Sequence, residues 1–260
     1  MYLPWRQTRD PYRILVSEMM LQQTQVDRVI PKYTRFIKTF STVELLARAP
    51  LSQVLLLWSG LGYNRRAKFL HQAAKMLVLE HKGVFPKTVA ELEKLPGVGP
   101  YTARAVAAFA YNRPVVCIET NIRTVFTHFC FSKKSRRDLD TKISDKELLP
   151  LVEQSLPLAK EAGLSPCEWY AALMDYGAFL KKSGVRINSR SRHYAKQSKF
   201  DGSARQLRGA ILRALLASPA TTSHLQKITN RPKSDIDRTL ATLVKEGMIV
   251  KTNATFSVVR

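Results

Sequence analysis

Acidic residues are scarce in this sequence. Only 20 Asp+Glu stand against 42 Lys+Arg, giving a formal charge of +22 and a pI near 10.2. An imbalance of this size speaks against a cationic partner and suits a polyanion. Cysteine is scarcer still: Cys117, Cys130 and Cys167 lie far apart without a CxxC pair. That spacing indicates neither a disulfide framework nor a zinc site, and the three are read as buried thiols. Long apolar runs are also missing. None approaches a membrane span, and the opening MYLPWRQTRD lacks a signal peptide's apolar stretch. The expected setting is the cytoplasm, beside the nucleoid and away from membranes. With 260 residues, 45% of them hydrophobic, the chain has material for one large or two modest globular domains.

Residues 95–106, LPGVGPYTARAV, contain the most unusual local pattern. A Pro-Gly-Val-Gly-Pro knot separates two helical segments, too short to serve merely as a linker. Gly97 and Gly99 can present backbone amides without a Cβ in the way, and Pro100 suits the first turn of the helix that follows. A helix N-terminus with bare amides is an anion site. The anion could belong to a small phosphate ligand or to a nucleic-acid backbone, and the basic composition favours the backbone. The same knot, standing alone, is also ordinary helix-capping chemistry.

Helical periodicity dominates the rest. PYRILVSEMMLQQTQV, TVELLARA, LSQVLLLWSG, RRAKFLHQAAKMLVLEH, TVAELEKL, YTARAVAAFAY, NIRTVFTHFCF and CEWYAALMDYGAFLKK each carry apolar residues at helix spacing. This predicts an all-α domain over residues 1–182. Residues 183–202 read as a basic linker: from Lys181 through Phe200 there are seven Lys/Arg and no acid. From 203 to 260 the order is helix, helix, helix, then two short strands around Asn253, the order of a winged-helix module that sets its third helix in a DNA groove. A winged helix used for protein contacts has the same signature.

Six segments together resemble one known group. LPWR (3–6), DPYRILVSEMMLQQTQV (10–26), LWSGLGYNRRAKFL (57–70), LPGVGPYTARAV (95–106), IETNIRTV (118–125) and ALMDYGA (172–178) occur in the order seen in the helix-hairpin-helix DNA glycosylase superfamily, and within it the MutY-type adenine glycosylases. The resemblance implies that the hairpin, with Gly97, Val98, Gly99 and Thr102, grips a phosphate beside the target nucleotide. It also shows departures. The family's four-cysteine iron–sulfur cluster should follow ALMDYGA, yet KKSGVRINSRSRHYAKQ has no cysteine, so no cluster, metal or other cofactor is expected. The carboxylate usually found as Asp is Glu119, longer by about 1.5 Å. Position 171, where the family places Gln or Glu beside adenine, is Ala171. The family's C-terminal domain for reading 8-oxoguanine is replaced by the winged-helix-like segment. The chain opens two residues before LPWR, without the helix that usually precedes it.

Hydrolysis of an N-glycosidic bond needs a general acid for the leaving base and an anion for the oxocarbenium-like sugar. Glu18, in the apolar stretch ILVSEMMLQ, matches the family's acid, and desolvation there favours the protonated form. Glu119, at the start of a helix whose dipole favours an anion, matches the sugar-stabilising carboxylate. A base inside a duplex must be flipped out and its gap filled. The resemblance assigns that wedge to Gln22, Gln23 and Thr24, places Tyr63 beside the lesion, and has Trp5 and Arg6 wall the base pocket. Tyr101 stands where strand-cleaving relatives carry lysine, and a phenol cannot form their imine. The expectation is a monomeric, monofunctional glycosylase acting in base excision repair on double-stranded DNA, with adenine opposite guanine or 8-oxoguanine as the substrate. Excision of 8-oxoguanine itself, or of thymine or uracil mispaired with guanine, is the alternative chemistry. A non-catalytic DNA-binding regulator is the alternative of another class.

Overall fold

The computed structural model describes residues 3–131, 142–185, 187–192 and 199–259. Among these residues it is mostly helical, with a small three-stranded sheet near the C-terminus. The helices are α1 (Pro11–Leu21), α2 (Val26–Thr39), α3 (Val43–Arg48), α4 (Leu51–Trp58), α5 (Arg65–His81), α6 (Val89–Leu92), α7 (Pro100–Tyr111), α8 (Thr120–Phe131), α9 (Asp145–Glu161), α10 (Pro166–Lys182), α11 (Ala204–Ala217), α12 (Thr222–Thr229) and α13 (Lys233–Lys245). The strands are β1 (Ala220–Thr221), β2 (Ile249–Thr252) and β3 (Thr255–Val258).

Two helices, α2 and α9, fall outside the segments that periodicity picks out. Each carries proline in its interior, Pro31 in α2 and both Pro150 and Pro157 in α9. Proline has no amide to donate to the preceding turn and ordinarily argues against a helix. The first helix also stops earlier than its pattern, at Leu21, and residues 22–25 form a turn in which the Thr24 amide bonds the Leu21 carbonyl at 3.1 Å.

The chain packs as two compact units. One comprises Met1–Pro86, Lys94–Gly97 and Ser198–Arg260, the other Lys87–Glu93 and Val98–Gln197. In the first, Phe36 packs edge-on against Phe40 and Trp58, and the Tyr12 hydroxyl bonds the Phe40 carbonyl at 2.8 Å. Its C-terminal portion has the winged-helix order, with α11 packed against α4. The sheet is antiparallel in the order β1-β3-β2, so a short strand ahead of α12 joins the two expected from sequence.

The second unit is built on α8 and α10, the most extensively packed helix pair, with α7 and α9 against α10. Cys117, Ile122, Val125, Leu148, Tyr170 and Leu173 lie in its core. The reading of three buried thiols is corrected. Only Cys117 is buried; Cys130 is exposed near the end of α8, and Cys167 is half-buried in the first turn of α10, its amide bonded to Asn112 Oδ1. Of the basic stretch 183–202, residues 186 and 193–198 lie outside the described residues.

Candidate active site

In the first unit the site begins on α1. Asp10 caps this helix by accepting the Tyr12 amide at 2.9 Å, and Pro11 occupies the first turn, where no donor is needed. Glu18 lies less than one turn before the helix end and is buried, with 8% of its surface exposed. Trp5, in the short 3-10 turn before α1, is buried edge-on against Tyr33 at 5.4 Å; Arg6 beside it is half-buried.

Past Leu21, one guanidinium organises the chain. Arg66 on α5 donates from Nη1 to the carbonyls of Met19 (2.7 Å), Met20 (2.9 Å) and Gln22 (2.6 Å). From Nη2 it reaches Thr24 Oγ1 and the Gly62 carbonyl, both at 3.1 Å. A cation at a helix C-terminus meets carbonyls that have no partner within the helix. Here it also ties the 22–24 turn to the turn carrying Tyr63. The guanidinium carbon stands 5.4 Å from the ring centres of both Trp58 and Tyr63. Burial lowers the Arg66 pKa to about 10, which leaves it charged at neutral pH. Gln23 and Tyr63 have positive φ, 54° and 47°, uncommon for side chains with a Cβ. Gln22 and Thr24 are half-buried, whereas Gln23 and Tyr63 face solvent. Sequence reasoning missed Arg66, since the adjacent Arg65 and Arg66 look alike until the helix face is known.

The hairpin follows from its glycines. Gly97 takes φ +76°, and a Cβ there would lie 2.5 Å from that of Phe69. Gly99 is extended and caps α7, with open space where its Cβ would be. Val98 is buried, and so is Thr102 on α7. What the hairpin presents outward is therefore backbone at Gly97 and Gly99, not the Thr102 side chain.

In the second unit Glu119 immediately precedes α8. Its Oε1 accepts the amides of Asn121 (2.6 Å) and Ile122 (2.9 Å), and its carbonyl accepts the Arg123 amide. Both side-chain bonds fall on one oxygen, so Oε2 is not engaged by the cap. One face of α10 supports this helix start. Tyr170 bonds the Val115 carbonyl and the Cys117 amide ahead of Glu119. Gly177 allows close approach, for a Cβ there would fall 2.3 Å from the Asn121 carbonyl oxygen. Lys181 Nζ donates to Asn121 Oδ1 at 2.6 Å. Burial is the largest influence on Glu119 and raises its pKa, opposed by the two amides, Lys181 and Arg123. Desolvation thus opposes the helix start, whose amides favour the anion. Arg123 is paired with Asp145 at 2.7 Å. Tyr101, in the first turn of α7, and Ala171 on α10 are both half-buried.

The structure thus gathers Trp5, Arg6, Glu18, Gln22, Gln23, Thr24, Tyr63 and Gly97 in the first unit, and Val98, Gly99, Tyr101, Thr102, Glu119 and Ala171 in the second. A four-thiolate iron–sulfur cluster does not fit this chain, which has three cysteines, one buried, one half-buried and one exposed.

The profile of the HhH-GPD superfamily of base excision DNA repair proteins matches residues 16–150. The chain is 35% identical over 272 residues to the adenine DNA glycosylase of Mycolicibacterium smegmatis, covering 96% of this chain and 88% of that protein. It is 37% identical over 187 residues to the adenine DNA glycosylase of Buchnera aphidicola subsp. Baizongia pistaciae, of whose length the match spans only 50%. Among solved structures, a thermostable thymine-DNA glycosylase superposes with a TM-score of 0.56 at 25% identity, covering 75% of this chain and 88% of that one.

Proposed function

The chain belongs to the HhH-GPD superfamily of base excision DNA repair proteins, and from that premise we propose that it is a monofunctional adenine DNA glycosylase. Its substrate is adenine opposite guanine or 8-oxoguanine in double-stranded DNA, and its product an abasic site. The observation that carries the choice of base is the likeness to an adenine DNA glycosylase over 96% of the chain, the C-terminal module included.

The hairpin backbone at Gly97 and Gly99 holds a phosphate, the 22–24 turn fills the space left by the flipped nucleotide, Tyr63 stands beside the lesion, and Trp5, Arg6 and Ala171 line the base pocket. Glu18 gives its proton to the departing base as the C1′–N bond breaks and its electron pair leaves with the base. The Glu119 carboxylate, held through Oε1, stabilises the cationic sugar through Oε2. Water then adds at C1′ and yields a proton to the carboxylate left by the acid. Tyr101 offers no amine to intercept the sugar, which supports hydrolysis without strand cleavage. Residues 1–182 carry the chemistry, 183–202 link, and 203–260 add duplex affinity.

Excision of thymine mispaired with guanine is the second reading, favoured by the thymine-DNA glycosylase likeness and by Ala171, which lacks the amide or carboxyl expected beside adenine. A panel of duplexes carrying adenine, thymine, uracil or 8-oxoguanine in each candidate pair, incubated with the protein and then alkali, tests both. Cleavage at adenine opposite guanine or 8-oxoguanine supports the first; cleavage at thymine or uracil alone replaces it.

A further inference from the structure

We propose that Arg205, supplied by the C-terminal module, is a positioning residue for Tyr63, so that this module takes part in reading the target base pair as well as in holding the duplex. The inference rests on the glycosylase reading, in which Tyr63 stands beside the lesion.

The anchoring of α11 makes the contact a built one. Glu246, which ends α13, accepts an ion pair from Arg208 of α11 and lies 3.8 Å from Arg65 Nε of α5. Its carbonyl also accepts Lys68 Nζ, one turn further along α5. One acidic residue thereby fastens α11 and α13 to the start of α5, next to the turn that holds Tyr63. Arg205 is three residues before Arg208, hence on the same face of α11. Its Nη1 donates to the Tyr63 hydroxyl at 3.0 Å, and its guanidinium carbon lies 5.9 Å from the ring centre. Arg66 approaches the same ring from within the clamp on α1, at 5.4 Å. Two guanidinium groups from separate helices therefore hold a ring that remains 38% exposed on a backbone of positive φ. A residue so placed would otherwise be free to turn about χ1; with its hydroxyl fixed, the ring offers one orientation to a nucleotide.

A simple phosphate contact by Arg205 makes a different prediction: its loss would weaken all duplexes alike and would be indifferent to the Tyr63 hydroxyl. The test is a double-mutant cycle in the full-length protein, using Arg205→Ala, Tyr63→Phe and the pair, with Arg205→Gln as a second variant should alanine disturb folding as judged by thermal melting. Single-turnover excision is measured on the preferred pair from the lesion panel, and affinity on an undamaged duplex. Each single variant is expected to slow excision roughly 3- to 10-fold, the range of one lost hydrogen bond, with the double variant no slower than the worse single. Affinity for undamaged DNA should change by less than about 2-fold, below the loss of a phosphate contact. Multiplicative losses, or an equal loss of affinity on every duplex, would overturn the inference while leaving the glycosylase reading standing. Absence of excision by the unmodified protein on every duplex would remove that reading and this inference together.

Discussion

Glu119 carries two opposing influences within a few ångströms. Burial raises its pKa, while two amides, Lys181 and Arg123 pull it down, and Arg123 is itself committed to Asp145. The proposed reaction needs the anion. As pH falls, a carboxyl with a raised pKa gains its proton earlier than a solvated glutamate, so the acid limb of single-turnover excision should lie above the ordinary carboxylate range. Lys181→Met removes a charge that favours the anion and should shift that limb to higher pH, whereas Lys181→Arg should leave it near the wild-type position. A limb that does not move in Lys181→Met would show that Glu119 does not govern it. Tyr101 supports a second expectation. Borohydride should trap no covalent protein–DNA adduct, and strands should break only after alkali, because a phenol forms no imine. Efficient trapping would point to another amine as nucleophile.

At the scale of elements, the site depends on how α10 supports the start of α8. Gly177→Ala would bring a Cβ within 2.3 Å of the Asn121 carbonyl, a contact with backbone that no rotamer change can relieve. A loss of about 1–3 kcal/mol, typical of overpacking, should appear as a lowered Tm, and excision should fall with it because the Glu119 cap must shift. An unchanged Tm and rate would mean that α8 and α10 are not locked at this point. Parts of this architecture were legible in the chain. The hairpin was, because Gly97 takes a positive φ beside Phe69 that only glycine tolerates, and so were most helices, from apolar spacing. The helices α2 and α9 were not, since prolines inside them mimic breaks. Glu18 and Glu119 stood out through motif order. Arg66, Lys181 and Arg205 did not, because in a chain of such basic composition nothing local separates a cation that clamps backbone or orients a tyrosine from one that is solvated.

For the whole molecule, the charge of +22 sets the expected behaviour on DNA. Affinity for undamaged duplex should be high at low salt and fall steeply as salt rises, since each neutralised phosphate releases counterions and contributes about −0.9 to the slope of log K against log salt on B-DNA. A flat salt dependence in a binding titration would contradict an electrostatic interface. The proposed reaction takes its proton from Glu18 on α1. The most direct measurement is single-turnover release of adenine from a duplex containing adenine opposite 8-oxoguanine, comparing the unmodified protein with Glu18→Gln. Glutamine keeps the size and much of the hydrogen bonding of Glu18 but has no proton to transfer, so release should fall by at least the roughly 10²–10⁴-fold typical of general acid catalysis while duplex affinity persists. Equal rates for the two proteins, with folding of the variant confirmed by circular dichroism, would contradict the account.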